Sequence, residues 1–116
     1  MPFSKKSMNK PDETRKFPKG QIKIATIGNH TVGLGSYRPG WRWTKDVKPT
    51  AKTDRCMAHH VGYVLSGRMS GVSEDGTKWS LKKGDVADIP PGHDAWVVGK
   101  EPCVLLDINI APSAAK

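Results

Sequence analysis

An all-β domain built around one core is the fold class that this sequence predicts. Three observations predict it: apolar residues alternate with period two in short runs, Gly, Pro, Asn and Asp punctuate those runs, and no window repeats apolar residues at i, i+3, i+4 and i+7. Eight or so runs at spacings of roughly 8–12 residues suit a sandwich or a barrel, architectures that cover or close the edges of their sheets. A chain of 116 residues has material for one such core and not for two.

The elements follow in order. Residues 1–20 carry Lys5, Lys6, Lys10, Arg15, Lys16 and Lys19 against Asp12 and Glu13, are interrupted by Pro2, Pro11 and Pro18, and show no periodicity. They read as a disordered or extended basic tail, with the domain proper over residues 21–112. Residues 21–26 place Ile22 and Ile24 on one face, Gly28-Asn29 turns the chain, and residues 31–37 place Val32 and Leu34 on one face. Trp41 and Trp43 share a side across Arg42, as one wall of a ligand pocket or simply as core. Residues 60–66, 68–72, 77–81, 85–89, 94–98 and 103–110 read as further strands. Glu74-Asp75-Gly76 closes a hairpin, and Pro90-Pro91-Gly92 stops the strand before it with a left-handed glycine.

The formal charge of +8 raises the prospect of a nucleic-acid or other anionic partner. About half of that excess lies in the first twenty residues, which lack interleaved aromatics for base stacking, and the domain offers no helix to enter a groove. Elsewhere basic and acidic residues alternate, as in Lys45-Asp46 and Lys82-Lys83-Gly84-Asp85, so this partner is the weakest reading. No run approaches the roughly 20 apolar residues of a membrane span, and the basic N-terminus has no apolar segment of the kind a signal peptide needs. A soluble, cytoplasmic protein is expected. Two cysteines, Cys56 and Cys103, are too few for a disulfide framework and read as reduced thiols.

The stretch from Trp41 to Ile108 resembles the cupin superfamily. His60-Val-Gly-Tyr-Val-Leu-Ser-Gly67 is similar to the end of the first cupin motif, G-x5-H-x-H-x3,4-E-x6-G, and Gly84-Asp-Val-Ala-Asp-Ile-Pro90-Pro-Gly92 is an intact G-x5-P-x-G opening of the second. The resemblance implies a small jelly-roll barrel with its site inside, commonly a homodimer. The metal ligands depart from the family pattern. His60 stands where the usual Glu would be, Cys56 and Asp54 fall at the two usual His positions under the shorter spacing, and Ala95 replaces the second motif's His. His93 stands two residues before Ala95, a shift that returns a strand side chain to the same face.

Asp54, Cys56 and His60 share a parity, so in an unbroken strand all three face one side, while His59 and Tyr63 face the other. Two imidazoles, a thiolate and a carboxylate suit Zn, Ni, Fe or Mn better than Mg or Ca. The set His60, His93, Cys56 and Asp54 is thus a candidate site for one divalent transition metal. The alternative is a metal-free pocket in which His60 and His93 are neutral imidazoles and Cys56 is a small hydrophobe. Functionally, a small-molecule-binding cupin using Trp41, Trp43, His60 and His93 comes first. A metal-dependent enzyme of dioxygenase, isomerase or lyase type comes second, because the full His-His-Glu-His set is missing and fold alone separates neither.

Overall fold

A computed structural model describes residues 3–109. The strands are β1 (Glu13–Phe17), β2 (Gly20–Ile27), β3 (His30–Tyr37), β4 (His60–Ser66), β5 (Arg68–Val72), β6 (Lys78–Lys82), β7 (Val86–Ile89), β8 (Asp94–Val98) and β9 (Cys103–Ile108). Between β3 and β4 lie two single-turn helices, α1 (Trp43–Asp46) and α2 (Lys48–Ala51). A six-stranded antiparallel sheet runs β1-β2-β3-β9-β4-β7, and a three-stranded one runs β6-β5-β8. The core lies between them. Ile22, Ile24, Tyr37, Val64, Cys103 and Leu105 face it from the larger sheet, Met69, Ala95 and Val97 from the smaller, and Trp41, Trp43 and Val47 from the corner that joins them. This is period-two burial, with alternate residues pointing inward along each strand.

The hairpins form where turn chemistry places them. Gly28 adopts φ +57° between β2 and β3, and Gly76 adopts φ +90° between β5 and β6, where the Thr77 carbonyl accepts from the Ser73 amide at 2.8 Å. The larger sheet's outer face carries exposed Val61, Tyr63, Leu65, Val86 and Ile108, with Tyr63 directly beside Val86 and Leu106 on the flanking strands. Trp96 lies on the opposite side of β8 from the core, with the Arg42 guanidinium 4.5 Å above its ring. Among the described residues no helix is long and apolar enough to cross a membrane.

Three expectations are corrected. The basic segment 1–20 is not a tail throughout, because Glu13–Phe17 pairs along its length with β2 and Phe17 stacks on Tyr37 at 6.0 Å between ring centroids. One aromatic anchor suffices there. The outward Lys16 of this edge strand accounts for the charge that disguises it, since edge lysines discourage pairing with other chains. Nor is the domain without helix, because Trp43 opens α1, where the buried Asp46 carboxylate accepts from the Arg42 amide at 2.9 Å. One turn is too short to show a helical repeat. The last strand ends at Ile108, and residues 110–112 of the expected domain lie outside the described residues.

Candidate functional site

The site forms where three segments meet. His60 opens β4 with the inward parity of Val64. His93 stands one residue before β8 with the inward parity of Ala95 and Val97, and is 3% exposed. Cys56 belongs to the irregular stretch between α2 and β4, which an isolated bridge holds against His93. The Cys56 amide donates to the His93 carbonyl at 2.8 Å, and the Cys56 carbonyl accepts from the amides of Gly92 at 2.7 Å and His93 at 3.2 Å. Gly92 makes this approach with φ +93°, the left-handed conformation anticipated for the Pro90-Pro91-Gly92 turn.

One ligand atom from each of Cys56, His60 and His93 lies within 4.8 Å of the other two. Cys56 Sγ is 3.8 Å from His60 Nε2, and the two imidazole rings meet edge to face with centroids 5.1 Å apart. Each imidazole is oriented from behind. His60 Nδ1 lies 3.3 Å from Asp107 Oδ2, and Asp107 is 2% exposed. His93 Nδ1 lies 2.8 Å from the Pro90 carbonyl, which only accepts, so Nδ1 donates there and Nε2 is the nitrogen left to face a metal. Gly62, opposite Asp107 in the β4–β9 pairing, makes room for the carboxylate, since a Cβ there would stand 2.6 Å from both Asp107 Oδ1 and the Leu106 carbonyl.

The electrostatics follow from these contacts. Burial pushes the Cys56 thiol up, but hydrogen bonds and charge from His60 and His93 outweigh it and bring the thiol down to about 6. Burial pushes His60 down, and the hydrogen bonds and charges of Asp107 and Cys56 outweigh it, raising the imidazole to about 10. Near neutral pH the metal-free pair is therefore a thiolate and an imidazolium. Cys103, with burial alone acting on it, is raised to about 11 and is an inert core thiol.

These donors sit in the wall of a small interior cavity whose other lining is mostly apolar, including Phe17, Ile22, Met69, Ile89 and Leu105. Trp41 and Trp43 line it, each 4% exposed, so the two indoles are at once core and pocket wall. Asp54 is not part of the cluster. Its side chain is 96% exposed and 3.6 Å from Lys48, because residues 52–55 bend away before the bridge at Cys56 and strand parity does not extend through them. His59 faces outward to Asp88. His30 is exposed in its hairpin.

No sequence-family model matches the chain, and no curated protein matches it in sequence. Solved structures do. A Klebsiella pneumoniae protein with a double-stranded β-helix domain aligns with TM-score 0.59 at 20% identity, over 99% of this chain and 95% of that one. The cupin domain of Schizosaccharomyces pombe Cnp3 aligns with TM-score 0.59 at 13% identity, over 83% of this chain and 66% of that one. This chain is a small cupin by fold. Oxalate decarboxylase from Lactobacillus farciminis aligns with TM-score 0.57 at 18% identity, over 83% of this chain, and the cupin described here spans 30% of its length. At such identities the likeness is one of fold.

The site contains residues that the sequence reading did not single out. Asp107 was signalled by a carboxylate inside the apolar run Cys103-Val-Leu-Leu-Asp107, sharing the inward parity of Cys103 and Leu105. Trp79, whose ring centroid is 6.3 Å from that of His93, shares parity with Leu81 on β6.

Proposed function

We propose that this cupin binds one late first-row divalent metal through Cys56 Sγ, His60 Nε2 and His93 Nε2, and that the metal holds a small molecule inside the cavity. The observation that carries this reading is the convergence of three donor atoms within 4.8 Å, on imidazoles already oriented from behind. Tetrahedral zinc with Zn–N about 2.0–2.1 Å and Zn–S about 2.3 Å needs ligand atoms roughly 3.3–3.6 Å apart, so side-chain rotations closing at most about 1.2–1.5 Å suffice. The donor set fits. A thiolate favours zinc and its neighbours over magnesium or calcium, and carboxylate-to-imidazole and carbonyl-to-imidazole hydrogen bonds are the usual supports of metal-bound histidine.

When bound, such a metal supplies a Lewis-acid position open to the cavity, since three protein ligands leave coordination free. Cys56, His60 and His93 would hold it, Asp107 and the Pro90 carbonyl orient the imidazoles, and Trp41 and Trp43 keep bulk water out. Binding ranks above catalysis because the titratable residues lining the cavity are Tyr37, Cys56, His60 and His93. Three of these are the ligands. Burial and nearby negative charge raise the Tyr37 hydroxyl well above its ordinary range, which leaves the wall without a free general base. A metal-dependent reaction is the second reading, favoured by the open coordination.

Competition titration of the metal-free protein with Zn²⁺, Ni²⁺, Fe²⁺ and Mn²⁺ tests the proposal. One equivalent should bind. Cys56→Ala, His60→Ala and His93→Ala should each lower affinity by more than the roughly 10–100-fold that loss of an outer partner costs. A correctly folded parent that takes up none of these metals would falsify it.

A further inference from the structure

Among the described residues, three buried side-chain nitrogen or oxygen atoms have no hydrogen-bond partner: Arg15 Nη1, Trp41 Nε1 and Trp79 Nε1. The two indoles line the same cavity as Cys56, His60 and His93. Indole N–H groups are donors only, and a buried donor normally finds an acceptor. Phe17, Tyr37, Met69 and Leu105 surround them with aromatic and aliphatic surface. Trp79 also lines the groove between the edge strands β6 and β7, together with Leu81, Ala87 and Asp88. It therefore stands between the outside and the interior.

We infer that the cavity's ligand is a compact molecule bearing hydrogen-bond-accepting oxygen, seated against the indole N–H groups of Trp41 and Trp79 and admitted from the β6–β7 groove past Trp79. The inference rests on the metal reading for the ligand's second anchor, but the indole contacts stand independently of it. Size follows from the small interior volume. Oxygen acceptors follow from the two unpaired donors, and no Lys or Arg lines the cavity to select for charge. A carboxylate and its neutral amide counterpart share the required chemistry.

Acetate and acetamide are the probes, added to the ¹⁵N-labelled full chain with and without zinc. The chain has four tryptophans, hence four indole N–H signals, assigned with Trp41→Phe and Trp79→Phe. If either variant folds poorly, Trp43→Phe and Trp96→Phe assign the same signals by elimination. The Trp41 and Trp79 signals should move with at least one probe while that of Trp96 stays fixed. Trp41→Phe and Trp79→Phe, which keep a ring but lose the N–H, should each weaken probe binding by about 3–10-fold. A response to acetate alone would make the ligand anionic, and a response to both would make it a neutral or mixed acceptor. Zinc binding with no movement of either indole signal, at any soluble concentration of either probe, overturns the inference and leaves the metal site standing. Absence of zinc binding overturns the metal site, and the zinc-free titration then decides the indole contacts alone.

Discussion

Metal affinity should rise tenfold for each pH unit between about 7 and 10, and this dependence extends well above the range of an ordinary histidine. The metal-free pair of Cys56 and His60 loses one proton near pH 6 and the other near pH 10. At pH 8 it therefore holds one proton, on the imidazole. Coordination requires the thiolate and the neutral imidazole, so the ion must displace that proton from His60 Nε2. One proton released per ion makes the affinity inversely proportional to proton concentration, about 1.4 kcal/mol per pH unit, or about 100-fold from pH 7 to pH 9. Below pH 6 the thiol is protonated as well, and the dependence steepens. Calorimetry at pH 8 in two buffers of different ionisation enthalpy counts the protons directly, and one is expected. Asp107→Asn removes one of the two groups that raise His60, so the upper titration step of the pair should fall below pH 10 while the affinity itself falls by about 10–100-fold. A parent whose zinc affinity is flat from pH 7 to pH 9, with no proton released, refutes the ion pair on which this reasoning depends.

Other outcomes follow from the same structure. Deleting residues 1–19 removes β1 with Phe17, and loss of that partly buried ring alone should cost about 1.5–3 kcal/mol, read as a lower thermal midpoint; an unchanged midpoint would mean that the strand does not dock. Gly92→Val forces a Cβ into a φ of +93° and should destabilise by about 1–3 kcal/mol while weakening metal binding through the Cys56 bridge, both measurable by denaturation with and without zinc. In the metal-free protein, ultraviolet thiolate absorbance should rise in two steps, near pH 6 for Cys56 and near pH 11 for Cys103. Cys56→Ala should remove the first step alone, and a single step at ordinary thiol pH would contradict the assignment.

Most strands were legible because each buries one face, and alternation marks that directly: residues 60–66, 68–72 and 94–98 fall where the pattern places them. Parity also brought Cys56, His60 and His93 to one side, although Cys56 is not in a strand. The same rule failed for Asp54, since parity persists only while the backbone stays extended, and residues 52–55 do not. β1 was hidden by composition, because its outward residues are polar and its inward contribution is chiefly Phe17. Asp107 and Trp79 reach the site across strand pairings and between sheets, and pairings between distant segments are not written in local periodicity.

The position of β9 determines when the site can exist. This last strand does not add to an edge but inserts between β3 and β4, and it delivers Asp107 to a histidine 47 residues earlier in the chain. During synthesis, then, Cys56, His60 and His93 all emerge before the group that orients His60, and β3 and β4 have no shared neighbour to align them. Closing such long loops comes late and slowly in folding. A nascent chain lacking β9 exposes an unmatched thiol and two free imidazoles, and on the metal reading proposed above, uptake of an ion would report that the middle of the larger sheet has been filled.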